Sequence, residues 1–209
     1  MSYLSFSRRW AGYLSRQTNL PAEQETVLTY IIEVLALTFL NVFLTLLVGA
    51  FLGVLPGTAA CLVTTALFRH IAGGAHSNSP LRCAVVTIII YPMLALLSTY
   101  FNRLGQGAVD MLSIVAFGVG MMAMIVLAPV DSVAAPIIST VRRKKLKYAS
   151  VAFVMLVIVA TLWFRGSQWQ YAEMVRTCVA LTLLWVSFML TGWGHGFMAV
   201  IDGISLRKR

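Results

Sequence analysis

A histidine and a cysteine seven residues apart, His76 and Cys83, stand in the segment Arg69-His70-Ile71-Ala72-Gly73-Gly74-Ala75-His76-Ser77-Asn78-Ser79-Pro80-Leu81-Arg82-Cys83. This is the long polar interruption of a mostly apolar chain. A thiol and an imidazole within reach of each other can do nucleophilic chemistry: the thiolate attacks an electrophilic carbon, and the imidazole takes up a proton and returns it to the leaving group. Polar, glycine-rich backbone between apolar stretches is costly in a membrane unless protein covers it or water reaches it. The segment is therefore the first place to look for chemistry.

The local sequence says how each group is presented. Ser79-Pro80 reads as a helix start, with Ser79 as N-cap and Pro80 at the first helical position. Cys83 then falls in the first turn, where the positive end of the helix dipole and the neighbouring Arg82 favour a thiolate. The competing reading is an ordinary interfacial cysteine. His76 is the natural base, four residues ahead of the helix. Gly73 and Gly74 allow sharp turns and close approach of a substrate. His70 competes for the role but sits beside Arg69 at the end of an apolar segment. The third histidine, His195 in Thr191-Gly192-Trp193-Gly194-His195-Gly196, either caps a helix or faces the site, and the structural reading is preferred.

Other groups carry less. A metal site built from His70, His76 and Cys83 matches no standard spacing and lacks a fourth ligand, so neither a metal nor another cofactor is expected. Glu33 lies inside the first apolar segment, where an ionisable residue is a functional candidate by default. Pairing with a cation such as Arg69, or snorkelling to the interface, would serve equally well. Asp131 and Asp202 could each orient a histidine as a third catalytic member, and the sequence selects neither. Cys61 and Cys178 lie in apolar runs and read as small buried hydrophobes.

The elements that must position these groups are helices in a membrane. The 209 residues are 59% hydrophobic and 11% charged, with mean hydropathy +0.85. A soluble domain carries about 25% charged residues. The expected fold is all-α: a polytopic membrane bundle of about six transmembrane helices, one domain over residues 21–209 with its active-site loop at 69–83. An amphipathic interfacial helix over residues 1–20 precedes it. That helix sets Leu4, Phe6, Trp10, Tyr13 and Leu14 among Arg8, Arg9 and Arg16, and the stretch lacks the apolar core of a cleavable signal. Six apolar segments are placed at about 26–53, 56–72, 82–101, 107–129, 146–165 and 173–197. The second is short and rich in Thr and Ala, and reads as a re-entrant or as a tilted helix packed inside the bundle; a full crossing is preferred because it keeps the charge bias.

The net charge of +9 would suggest nucleic acid in a soluble protein. Here the charges gather at segment ends, so lipid headgroups and topology account for them, and no nucleic acid is expected. With six crossings and both termini in the cytoplasm, 13 of the 16 basic residues face inward, including Arg207, Lys208 and Arg209. The same topology puts the His76–Cys83 loop on the cytoplasmic side. The densest run, Arg142-Arg143-Lys144-Lys145-Leu146-Lys147, closes the loop that begins at Ala128-Pro129-Val130. It serves as a topogenic anchor and is also suited to an acidic partner.

The residues Arg69-His70-Ile71-Ala72-Gly73-Gly74-Ala75-His76, followed by Cys83, resemble the signature of the accessory gene regulator B family. These are bacterial membrane peptidases of quorum sensing. The Ala128-Pro129-Val130 stretch with its basic run, the length, the number of spans and the amphipathic start are similar too, so the likeness covers essentially the whole chain. It implies a cysteine endopeptidase in the cytoplasmic membrane. Cys83 would be the nucleophile and His76 the base. The enzyme would remove the C-terminal part of a short propeptide through an acyl-enzyme, and a peptide side chain would close a thiolactone or lactone ring to give an autoinducing peptide. The family's propeptides have an amphipathic leader and an acidic tail. Arg69, Gly73, Gly74, Arg82, Glu33, Arg142, Arg143, Lys144 and Lys145 are the expected substrate-binding residues. The further expected partners are membrane lipids and a second copy of the chain, the latter suggested weakly by Gly118 and Gly120.

The principal alternative is a non-enzymatic peptide exporter or sensor partner. An exporter needs energy, and the sequence has no Gly-x4-Gly-Lys-[Ser/Thr] phosphate loop. An intramembrane serine protease ranks lower, because a Gly-x-Ser-x-Gly nucleophile element is missing.

Overall fold

The computed structural model describes residues 5–18, 21–77, 79–130 and 138–203. Among these it forms eight helices: α1 (Ser5–Thr18), α2 (Ala22–Phe51), α3 (Leu55–Ala72), α4 (Pro80–Arg103), α5 (Gln106–Val126), α6 (Thr140–Arg165), α7 (Ala172–Leu190) and α8 (Gly192–Gly203). Asp131, Leu4, Asn78 and the basic C-terminus Arg207–Arg209 lie outside the described residues. The chain is a polytopic helical membrane bundle. Five helices are long and apolar enough to cross a membrane: α2, α4, α5, α6 and α7.

The chain divides into two compact units, Met1–Leu44 and Thr45–Arg209. In the first, α1 has two faces. Ser7, Ala11 and Ser15 are its buried residues, while Phe6, Trp10 and Tyr13 are exposed. The helix is thus small on one side and aromatic on the other, as expected of a chain lying in a headgroup layer. Glu33, on α2 in the same unit, is buried.

The second unit is organised around α7, which touches α3, α4, α5, α6 and α8. Its buried residues include Thr177, Cys178, Ala180, Thr182 and Ser187. Between membrane helices there is little hydrophobic drive to associate, so small side chains that permit close approach do the packing. Gly57 of α3 is one such point, since a Cβ there would come within 2.8 Å of Cys178 Sγ. Gly120 of α5 lies against Leu183 in the same way, whereas Gly118 faces open space. Gly120 is therefore used inside the chain. Cys61 and Cys178 are both buried, and the Cys61 thiol points at the Cys178 carbonyl at 3.9 Å.

The helix α3 is absent from the five apolar spans but is continuous over 18 residues, about 27 Å at 1.5 Å per residue. It runs along α7 with Gly57 near one end and Phe68 near the other. Phe68 is fully buried and meets Phe153 of α6 edge-on at 4.7 Å. Neighbouring helices shelter α3, which is why it tolerates the Thr and Ala content that made it weak by hydropathy.

Two boundaries differ from the sequence expectation. The basic run is not the end of a loop: α6 begins at Thr140, so Arg142–Lys147 form its first turns. Ser139 supplies the reason, its hydroxyl accepting from the Arg142 amide at 3.3 Å and capping a helix start whose dipole disfavours cations. The expected last segment, 173–197, is two helices. It breaks at Thr191, which is extended (ψ 164°). Gly194 lets the chain double back on α7, because a Cβ there would lie 2.5 Å from the Phe188 carbonyl oxygen.

Alternation of direction brings the end of α3, the starts of α4 and α6, the end of α5, the end of α7 and the whole of α8 to one end of this unit. The opposite end is closed by charge. Asp110 on α5 accepts from Arg165 of α6 at 2.8 Å and from Arg176 of α7, and Thr177 donates to Asn102 at 2.7 Å. Pairing is what allows Arg176 to be only 4% exposed.

Candidate active site

The site is built on a backbone junction. At the end of α3, Gly73 adopts φ +76°, ψ −140°, a region open in practice to glycine alone. There the chain bridges to Val130, whose amide donates to the Ala72 carbonyl at 2.9 Å. A Cβ on Gly73 would sit 2.3 Å from the Val130 carbonyl oxygen, so two independent constraints require glycine. Two residues on, the Ala75 amide donates to Met189 O at the end of α7, 2.9 Å away. The loop is thereby tied to the chain after α5 and to the end of α7.

The helix start was legible. Ser79 is the N-cap residue in extended conformation (φ −115°, ψ 121°), with proline following. Its side chain makes no capping bond. Instead, the Ser79 amide donates to Ser77 Oγ at 3.1 Å. Cys83 closes the first turn, its amide donating to Ser79 O at 3.1 Å. The thiol is half-buried and faces a cavity of about 20 Å³, room for one water-sized group. Thr65, Arg69, Gly73, Thr87, Tyr91, Trp185, Met189 and Met198 are among its walls.

The cation at the sulfur is Arg69, not Arg82. Arg69 Nη1 lies 3.9 Å from Cys83 Sγ, and its Nη2 donates to the Ala75 carbonyl at 2.9 Å. One planar guanidinium thus bridges the nucleophile candidate and the residue before His76, a geometry a lysine does not reproduce. Arg82 turns to α8, where it donates to the Asp202 carbonyl and lies 3.6 Å from the Asp202 carboxylate. Side chains one residue apart on a helix do not share a face, so Arg82 and Cys83 look in different directions.

His76 lines two clefts beside the Cys83 cavity. One, about 370 Å³, is shared with Ala75, His195, Met198, Ala199 and Asp202. The other, about 190 Å³, runs between the end of α3 and the start of α6 and holds Arg69, His70, Gly73, Gly74, Pro129 and Arg142. Arg69 and Gly73 line both this cleft and the thiol cavity. Among the described residues no hydrogen bond joins His76 to Cys83; Arg69 and Gly73 stand between the thiol cavity and the smaller cleft, and Met198 between it and the larger one. The imidazole is pushed down from 6.5 to about 4 by desolvation among protein atoms, then by the charges of Arg69 and His195. His76 is exposed on its outer side, and its lowered proton affinity makes it neutral at pH 7, the form a base needs.

The other candidates separate. His70 Nδ1 bonds the Ala66 carbonyl of its own helix at 2.7 Å. His195 does the same with Thr191 at 2.9 Å and also lines the larger cleft with His76. Arg142 lines the smaller cleft; Arg143, Lys144 and Lys145 are exposed on the following turn. Glu33 belongs to the first unit. Among the described residues there is no cluster of three or more metal-ligating side chains. Sequence reading missed Thr87 and Tyr91, although they follow Cys83 by four and eight residues and so share its helix face. It also missed Trp185, Met189 and Met198, which come from distant helices and left no local signal.

The fold and this junction define a class: a multi-pass membrane protein with a histidine on a polar, glycine-pinned loop and a cysteine in the first turn of the helix that follows it. The family model for Accessory gene regulator B matches residues 7–190, and the chain belongs to that family, whose role lies in quorum sensing. It is 24% identical over 207 residues to "Putative AgrB-like protein 2" of Clostridium perfringens (strain 13 / Type A), covering 96% of this chain and 97% of that one. It is 26% identical over 182 residues to "Accessory gene regulator protein B" of Staphylococcus aureus (strain bovine RF122 / ET3-1), covering 86% and 93%. No solved structure matches the chain.

Proposed function

We propose that this chain is a membrane cysteine endopeptidase that cuts a short signal propeptide and conserves the acyl group for ring closure. The observation that carries the reading is the Arg69 guanidinium beside Cys83 Sγ, with a neutral His76 on the adjoining loop. Cys83 attacks the scissile carbonyl, its proton passes to His76, and His76 delivers that proton to the departing amine. The product is a thioester on Cys83. A peptide thiol or hydroxyl then attacks the thioester carbonyl, which releases Cys83 as thiol and closes a thiolactone or lactone. Exchange outruns hydrolysis only where water is scarce and the attacking group is held close. A cavity with room for a single small group meets the first condition. Substrate entry requires the side chains shared by the thiol cavity and the His76 clefts, Arg69 and Met198, to part.

The cleft between α3 and α6 suits the acidic tail. It carries Arg69, His70, His76 and Arg142, and the exposed cations of the next turn extend the positive field. The active-site end faces the cytoplasm of a bacterial cell in this reading, with the N-terminus on the same side, as the distribution of basic residues favours.

The test is reconstitution of wild type and Cys83→Ala in liposomes with a synthetic propeptide of amphipathic leader and acidic tail, read by mass spectrometry. A shortened, ring-closed or Cys83-bound peptide from wild type alone supports the proposal. Equal cleavage by both proteins removes Cys83 from the chemistry.

A further inference from the structure

We infer that Asp202, near the end of α8, is a positioning residue that fixes His76 relative to Cys83. This rests on the endopeptidase reading. The six residues between the pair are tied to Asp202 at both ends. Ser77, next to His76, donates its hydroxyl to Asp202 Oδ1. Arg82, next to Cys83, donates to the Asp202 main-chain carbonyl and pairs with its carboxylate at 3.6 Å. Ser77 Oγ in turn accepts from the Ser79 amide at 3.1 Å, so the same tie reaches the first turn of α4.

The anchor is itself held. Met198 of α8 is buried against Ala75 and Met189, and Gly194 brings the start of α8 onto the end of α7. Asp202 thus transmits the position of a packed helix to a loop that sequence alone leaves free. The ion pair is only partly covered, at 23% and 16% side-chain exposure, so its worth lies in geometry more than in net stability. α8 also lies beyond residues 7–190, the part that matches the family model.

The contacts separate the role by atom. Asp202→Ala removes the Ser77 acceptor and the carboxylate but leaves the main-chain carbonyl for Arg82. Asp202→Asn keeps an oxygen for Ser77. Ser77→Ala removes the loop's side of the same bond, together with the acceptor of the Ser79 amide, and leaves α8 untouched. In liposomes with the full chain and the synthetic propeptide, Asp202→Ala is expected to lower kcat by about tenfold to a hundredfold, the cost of a small misplacement of reacting groups, with KM within about twofold. Asp202→Asn should recover most of the loss. The double variant with Ser77→Ala should lose less than the two single losses combined, because the Ser77–Asp202 bond is common to both.

Deuterium uptake over residues 76–83 should rise in Asp202→Ala and in Ser77→Ala, whether or not the protein cleaves peptide. Wild-type kcat in Asp202→Ala, a loss confined to KM, or unchanged uptake in both single variants would overturn the inference. If wild type does not cleave, the endopeptidase reading fails while the uptake measurement still judges the tie. If Asp202→Ala does not insert, Ser77→Ala alone decides.

Discussion

Replacing Gly73 by alanine should disable the site while leaving the bundle folded. The backbone at φ +76°, ψ −140° costs a residue with a side chain about 1–3 kcal/mol. The new Cβ would meet the Val130 carbonyl oxygen at 2.3 Å, and that oxygen belongs to main chain, which cannot swing aside as a flexible side chain does. The bridge must part, losing the Val130–Ala72 hydrogen bond of 2.9 Å, worth ~0.5–1.5 kcal/mol. The sum is about 1.5–4.5 kcal/mol against the closed loop, which at 1.4 kcal/mol per factor of ten is roughly 12- to 1,600-fold in its population. The bridge residues Ala72 and Val130 border the Phe68 cluster, but the Gly57–Cys178 contact near the other end of α3 is untouched. The measurement is propeptide cleavage in liposomes, paired with helix content by circular dichroism and hydrogen exchange at the Val130 amide. Helicity should be unchanged, Val130 protection should drop and cleavage should fall by more than tenfold. A Gly73→Ala protein that keeps both Val130 protection and the wild-type rate would refute the junction as the device that shapes the site.

Arg69→Gln takes the charge from Cys83 Sγ; alkylation of Cys83 by iodoacetamide at pH 7, located by peptide mass, should slow by about tenfold, since a charge-assisted hydrogen bond is worth ~1.5 kcal/mol or more. An unchanged rate would mean the 3.9 Å contact does nothing for the thiol. The acid limb of cleavage should lie below pH 6. His76 acts as a base only when neutral and its proton affinity is lowered, first by desolvation and then by Arg69 and His195, so activity is present at pH 6.5 and is lost only as pH falls further; a midpoint at 6.5 or above would contradict this. Neutralising Arg142 alone should raise KM for an acidic-tailed propeptide more than neutralising Arg143, Lys144 or Lys145 singly, because only Arg142 lines the His76 cleft; equal effects would reduce the run to a diffuse charge.

The sequence by itself determined the membrane class, the all-helical character and the candidate residues His76 and Cys83. Apolar runs of span length leave the backbone no other way to satisfy its hydrogen bonds than a helix. Ser79-Pro80 marked the start of α4 through chemistry confined to neighbouring residues, and so put Cys83 in its first turn. Gly73 and Gly74 stood out for the same local reason. What the sequence could not assign were partners that depend on which helix ends meet. It gave Arg82 to Cys83 because they are adjacent in the chain, yet adjacency on a helix turns side chains apart, and the cation that reaches the sulfur comes from the end of α3. It left Asp202 as one of two acids able to orient a histidine, whereas the fold sets its carboxylate against Ser77 and Arg82. It carried one helix through residues 173–197, although Gly194 permits a reversal only because the end of α7 is there to receive it. Local propensity is written in a few neighbouring residues. The meeting of α3, α4, α7 and α8 at one end of the bundle is a long-range result of packing small side chains around α7, and it decides which charge faces the thiol.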